Sequence, residues 1–157
     1  MIQFAGSLAP GSDAGVSPEA KWLHEDRLHG LLSSPSVAAQ SRSDVIKAVE
    51  VAAASASAED WDGDGALPVS QTTLRYATRF LVALPQGVPS PSVLIDRDGD
   101  IVFEWGPRAQ HTFSVSVARD GTLTYAGLFG HAQTHGRETL SEAIPLNILV
   151  NIERAGR

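Results

Sequence analysis

Two Asp-Gly dipeptides within a stretch of alternating apolar and polar residues constrain the fold of this chain most. Asp98-Gly99 and Asp120-Gly121 are typical of tight β-hairpin turns, which need residues that tolerate positive φ angles. Connections this short join only antiparallel neighbours. The alternating apolar positions are Val93, Ile95, Ile101, Phe103, Trp105, Phe113, Val115, Val117, Leu123 and Tyr125. The pattern predicts a four-stranded antiparallel meander with one apolar face.

Helical patterns lie on both sides of this meander. Ser70 is typical of a helix N-cap, and apolar residues at helical spacing follow it to about Leu84. A further helix is predicted over about 43–58 and a last one after Pro145, while 131–142 is predicted to be a loop. We therefore predict an α+β fold: helices, a four-stranded antiparallel meander and a C-terminal helix, with the helices on one sheet face.

The N-terminal part of the chain differs from the rest in composition. Residues 1–16 are mostly small and show no apolar period, which predicts a flexible tail. Segment 17–42 opens with Ser-Pro-Glu, a typical helix start, and predicts an amphipathic helix carrying Trp22 and Leu28, then a serine-rich linker. This helix either packs on the α+β domain, predicted over 43–157, or docks on a partner.

The composition of the chain excludes some classes of site and argues against some kinds of partner. The chain has 157 residues, a net charge of -6 and no cysteine, which excludes disulfides, thiolate zinc sites and cysteine nucleophiles. Neither a signal peptide nor a membrane-spanning run is evident, so a cytoplasmic protein without membrane contact is expected. Residues 59–105 hold eight acidic and three basic side chains. Such acidity argues against direct nucleic-acid binding and favours a basic protein partner or a cation.

The run from Asp60 to Ala66, DWDGDGA, matches the first half of a calcium loop. Asp60, Asp62 and Asp64 would hold positions one, three and five of that loop. Position twelve requires a bidentate glutamate but is Gln71, so the ligand set is incomplete. A second acidic set, Asp96, Asp98 and Asp100, lies at the first predicted hairpin turn. Convergence of the two sets in space would favour a metal site.

A structural turn is the alternative interpretation of the same run. In that case Trp61 enters the core, Gly63 and Gly65 take positive φ angles, and the aspartates cap and solvate the turn.

His131, His135 and Glu138 would suit a divalent metal if they lay on one helix, which gives the weakest hypothesis, a hydrolase. The metalloprotease signature is incomplete because Ala132 follows the first histidine, so solvated loop histidines are expected. Nucleophile, P-loop and dinucleotide motifs are absent. We therefore expect a non-enzymatic protein with no catalytic residue and no cofactor.

Three motifs together carry a family resemblance. Trp61-Asp62-Gly63-Asp64-Gly65-Ala66, Phe103-Glu104-Trp105 and Tyr125-Ala126-Gly127-Leu128-Phe129-Gly130 make residues 59–155 similar to a family of small bacterial and phage proteins, most of them uncharacterised. The resemblance implies the same α+β core and an origin in accessory or mobile-element regions. It implies no activity and no site residue.

Two function hypotheses follow. The first is a small acidic protein-binding module, an inhibitor or antitoxin-type regulator, whose partner is another protein with a basic surface. Its binding surface would be the open sheet face, the acidic edge or the N-terminal helix, and edge strands are compatible with a homodimer. The second is a calcium-like module or metal-dependent enzyme centred on Asp60, Asp62 and Asp64. In the first hypothesis, the residues of the binding surface are Thr112, Ser114, Ser116, Thr124, Trp22 and Leu28.

Overall fold

The computed structural model describes residues 41–108 and 110–156. The tail predicted over 1–16 lies outside these residues, as does the predicted helix that carries Trp22 and Leu28. Within the described ranges, two helices precede five strands and a third helix follows them. The α+β class and the antiparallel sheet are therefore confirmed.

Side-chain caps and prolines set the limits of the helices. Ser41 caps the first helix through reciprocal bonds with Asp44, and the Ser70 hydroxyl accepts from the backbone N–H of Thr73 at the second. Pro145 is the N-cap residue of the third. The helices are α1 (Arg42–Ser55), α2 (Gln71–Ala83) and α3 (Leu146–Ala155).

Five strands, rather than the predicted four, form one antiparallel sheet in sequence order. The additional strand occupies the segment predicted to be a loop. It is an exposed edge strand of polar residues, so it lacks the apolar alternation of its neighbours. Gly136 lies opposite Tyr125, and a β-carbon there would overlap the tyrosine hydroxyl. The strands are β1 (Ser92–Ile95), β2 (Ile101–Arg108), β3 (His111–Val117), β4 (Thr122–Phe129) and β5 (Ala132–Thr139).

The core lies between the three described helices and one face of the sheet. Phe80 of α2 stacks on Phe103 of β2 with ring centroids 5.4 Å apart, and Trp105 lies beside both rings. An aromatic pair of this kind contributes about 0.5–1.5 kcal/mol beyond its area burial. Ile148 and Ile152 bring α3 into the same core. The sheet residues that face the helices are Ile101, Phe103, Trp105, Phe113, Val115, Val117, Leu123 and Tyr125.

In the part of the chain that the structure describes, no helix is long and apolar enough to cross a membrane.

Candidate functional site

The acidic run DWDGDGA lies in the connection between α1 and α2, and we call residues 59–69 of this connection the aspartate loop. Its carboxylates bind backbone N–H groups of the loop itself. Asp62 Oδ1 accepts from Asp64 N at 2.8 Å and from Ala66 N at 3.1 Å, and Asp60 Oδ1 accepts from Gly65 N at 2.6 Å. The bond from Asp64 N, followed by that from Ala66 N, lowers the pKa of Asp62.

The features of a structural turn are present in this loop. Gly63 and Gly65 have φ angles of 76° and 86°, and Asp60 also has a positive φ, 58°. The Trp61 indole N–H donates to the Leu67 carbonyl at 3.0 Å. The Trp61 ring is partly buried and packs against the core. The bond to Leu67 keeps the ring in the loop, at the margin of the core.

The second acidic set forms the β1–β2 turn, Asp96–Asp100, and repeats the same local geometry. Asp96 Oδ1 accepts from Asp98 N at 2.8 Å and from Asp100 N at 3.2 Å. Asp96 N in turn donates to the Asp100 carbonyl at 3.1 Å, which closes a three-residue hairpin loop. Gly99 has the positive φ that this loop needs, and its α-carbon lies close to the Pro68 carbonyl of the aspartate loop.

Arg97 joins the two acidic segments. Its carbonyl accepts from Leu67 N at 2.8 Å. Its guanidinium lies 3.4 Å from Asp62 Oδ2 and 2.7 Å from Asp64 Oδ2, and it also donates to the Asp64 carbonyl. The two acidic segments are therefore adjacent, and the Arg97 guanidinium lies beside Asp62 and Asp64, where a calcium interpretation puts a cation.

No group of three or more acidic or histidine side chains within 41–108 and 110–156 is arranged to hold a metal ion. Gln71, at position twelve of the calcium pattern, is the first residue of α2. The described geometry is that of two turns stabilised by their own backbone and by one internal guanidinium.

Asp96 and Asp100 differ electrostatically from the aspartates of the loop. Asp96 is only 4% exposed, and its Oδ2 has no hydrogen-bond partner. Burial, followed by the negative charge of Asp100, raises the pKa of Asp96 to about 7. Burial also raises the pKa of Asp100 to about 6, although the Ser116 hydroxyl lies 3.3 Å from its Oδ2. Both carboxyls therefore gain or lose protons near neutral pH.

The aspartate loop and the β1–β2 turn together form what we call the acidic end of the molecule. It gathers seven acidic side chains and one arginine. Five of the seven side chains belong to exposed residues, and they give this end a strongly negative surface. The exposed residues are Glu59, Asp60, Asp62, Asp64 and Asp98.

The predicted sheet-face residues lie where the meander places them. Ser114 lies opposite Glu104 and Ala126, and Ser116 opposite Thr124, all on the face away from the helices. Thr112 and Ser114 are each only 8% exposed, whereas Ser116 and Thr124 are partly exposed. Two of these four residues therefore offer a partner little accessible surface.

The two candidate histidines do not form a site with Glu138. His131 lies in the β4–β5 turn and His135 on β5, where residues four apart are separated by roughly 13 Å along a strand. His135 and Glu138 are three apart and so point to opposite faces of the sheet. Glu138 instead accepts a hydrogen bond from the Asn147 amide at 3.0 Å. The helical spacing argument fails because the segment is a strand.

Comparison with protein-family models, with curated proteins and with solved structures finds no match to this chain. The resemblance to a family of bacterial and phage proteins therefore stays a prediction.

Sequence reasoning missed the bridging role of Arg97 and the burial of Asp96. The sequence signals only that the two turns are alike in composition. Residues 96–100 read DRDGD, close to the DWDGD of residues 60–64, with an arginine in place of the tryptophan. Asp96 also directly follows the apolar strand residue Ile95.

Proposed function

We propose that this protein is a non-enzymatic binding module that contacts a basic surface of another protein through its acidic end. The observation that carries the proposal is the convergence of the two acidic segments through Arg97, whose partners lie 30 or more residues away in sequence. A concentrated negative surface attracts positively charged partners and accelerates their encounter.

The hydrogen bonds within the acidic end support a binding role. The backbone N–H groups of both turns are bonded to aspartate side chains, and the Leu67–Arg97 backbone bond holds the turns together. Exposed carboxylates on a preorganised loop lose less conformational entropy on binding than carboxylates on a mobile one. An inhibitor or antitoxin-type regulator of the cytoplasm, the narrower form of the proposal, would use such a surface against a basic active site or binding groove.

The calcium alternative has weaker support. Convergence of the two acidic sets favours it, but Arg97 already supplies the positive charge between them and Gln71 lacks the required bidentate carboxylate.

Two charge-matched triple variants test the proposal. The first, Glu59→Gln/Asp64→Asn/Asp98→Asn, neutralises exposed residues of the acidic end. The second, the control, is Glu50→Gln/Glu142→Gln/Glu153→Gln, which neutralises exposed residues elsewhere in the described chain. Both change the net charge equally. Circular dichroism and melting temperature would verify that each variant folds.

Wild type and both variants serve as baits in parallel affinity captures, and a partner that wild type retains is then purified for calorimetry. We expect the acidic-end variant to bind at least about tenfold more weakly, which corresponds to about 1.4 kcal/mol. The control variant should bind like wild type, and the affinity of wild type should fall with salt. An affinity that is equal in wild type and the acidic-end variant would overturn the proposal, as would an equal loss in both variants.

A further inference from the structure

The buried carboxyl of Asp96 lies at the junction of the two acidic segments. Its Oδ1 holds the β1–β2 turn closed through the backbone N–H groups of Asp98 and Asp100. The same turn contacts the aspartate loop through the Leu67–Arg97 backbone bond and the close approach of Gly99 to Pro68. The turn that Asp96 closes is therefore also the turn that contacts the aspartate loop.

None of the described groups around Asp96 supplies a compensating positive charge. The charges that act on it are those of Asp100 and Asp98, and Asp100 in turn is affected by Asp98 and Asp120. The adjacent guanidinium, that of Arg97, is paired with Asp62 and Asp64. Ser116, from β3, contacts Asp100. An ionised Asp96 would thus be a buried anion beside other anions, with one oxygen that no hydrogen bond stabilises.

We propose that Asp96 is a proton-controlled latch, which holds the β1–β2 turn against the aspartate loop while its carboxyl is protonated and loosens this contact when the proton is lost. The neutral acid has no charge to desolvate, so the closed turn is its favoured state. Loss of the proton turns the junction into a cluster of like charges, which is relieved by hydration of the turn. The proposal concerns the free protein and does not depend on any partner.

The working range of the latch follows from the raised pKa. An aspartate in an unfolded chain loses its proton near pH 3.9, whereas Asp96 does so near pH 7. The stabilisation that this group adds is full below about pH 3.9 and is lost as the pH rises through about 7. The latch is therefore closed in mildly acidic solution and opens across neutrality.

Hydrogen exchange of the Leu67 amide provides the test, because this N–H bridges the two segments. Its protection factor, corrected for the intrinsic pH dependence of exchange, is measured near pH 5.5 and near pH 8. In wild type we expect at least about a tenfold fall, as local opening becomes easier. In Asp96→Asn, which keeps an acceptor oxygen and carries no titratable proton at this position, the protection factor should fall much less, because only the Asp100 carboxyl of this turn still titrates in this range. Asp98→Asn is the control, because it removes an exposed carboxylate from the same turn.

A Leu67 protection factor that is independent of pH in wild type would overturn the proposal. So would an equal fall in Asp96→Asn, which would assign the effect to another group. A second measurement needs no variant: carbon-13 NMR of the Asp96 carboxyl in wild type. A midpoint near pH 7 with parallel shifts of the Leu67 amide supports the latch, and a midpoint below about 4.5, close to that of an ordinary aspartate, excludes it.

Discussion

Asp62 and Asp96 make the same local bonds yet carry opposite shifts in pKa. Each accepts from the backbone N–H groups two and four residues ahead, at 2.8 and 3.1 Å for Asp62 and at 2.8 and 3.2 Å for Asp96. The pKa of Asp62 is lowered, whereas that of Asp96 is raised to about 7. The turn geometry is therefore not what sets the charge of these carboxyls.

The difference lies in the second oxygen of each carboxyl and in its access to water. Asp62 Oδ2 faces the Arg97 guanidinium, while Asp96 Oδ2 is buried without a partner. Two backbone N–H bonds favour the ionised form in both residues, but at Asp96 desolvation and the charge of Asp100 outweigh them. The same turn geometry therefore holds an aspartate with a lowered pKa at Asp62 and an aspartate that titrates near neutral pH at Asp96.

The largest expected effect is a difference in stability between two glycine-to-alanine variants, one in each turn. Gly99 and Gly63 have φ angles of 77° and 76°, but a β-carbon at Gly99 would lie 2.6 Å from the Pro68 carbonyl oxygen, whereas nothing lies within 4 Å of one at Gly63. Gly63→Ala should cost only the backbone strain, about 1–2 kcal/mol. Gly99→Ala should cost about 3 kcal/mol or more, because the turn must also move away from the aspartate loop. Urea unfolding of both variants measures the difference, and equal losses would contradict the close approach of the turns.

The second prediction concerns the two aspartates. Asp96→Asn should increase the free energy of unfolding near pH 8 by about 1–3 kcal/mol, because it removes the desolvation of a buried anion while Oδ1 is kept as an acceptor. It should also reduce the decrease in stability expected of wild type between about pH 4 and 7, to which Asp100 contributes as well. Asp62→Asn should instead destabilise the protein, since the Asp62 contribution is present above the unfolded pKa and is lost as the pH falls. Chemical denaturation at several pH values gives both results, and a destabilised Asp96→Asn at pH 8 would show that its charge is required.

The sequence predicted the fold through residues whose local preferences agree with their packing. The Asp-Gly turns, the alternating strand residues and the Ser70 cap all lie where the periodicity placed them. Strand β5 was missed because an edge strand needs only backbone bonds to its neighbour and can consist of polar residues. Gly136, beneath the Tyr125 ring, has no local signal that distinguishes it from a loop glycine.

The sequence predicts the turns of the acidic end but not the burial and pKa of its carboxyls. The Asx-turn bonds and the positive φ of Gly63 and Gly65 follow from the residues alone. Whether an aspartate is buried depends on contacts between segments 30 or more residues apart, such as Gly99 with Pro68. Periodicity carries no information about such contacts, so the burial of Asp96 could not be read from the chain.

A smaller effect is expected from removing the bridging cation. Arg97→Gln should lower the free energy of unfolding by only about 0.5–1 kcal/mol, because the Arg97 side chain is 50% exposed and surface ion pairs are weak. The pKa of Asp62 should rise slightly but stay below its ordinary value, since backbone bonds are the largest cause of its shift. NMR titration of the Asp62 carboxyl measures this rise. A return to the ordinary aspartate value would assign the shift to Arg97 instead.

The smallest expected effect is that of calcium. Its binding would add a further difference between the Asp62 and Asp96 turns. Calorimetry of wild type should show no binding tighter than the millimolar range, because Gln71 replaces the bidentate glutamate and the Arg97 guanidinium repels a cation from Asp62 and Asp64. Arg97→Gln removes that repulsion and should strengthen any residual binding without reaching micromolar affinity. A micromolar site in wild type that Asp62→Ala abolishes would place the calcium alternative ahead of the protein-binding proposal. In that case the lowered pKa of Asp62 would reflect a carboxylate prepared for a metal, and Arg97 would be a residue that calcium displaces.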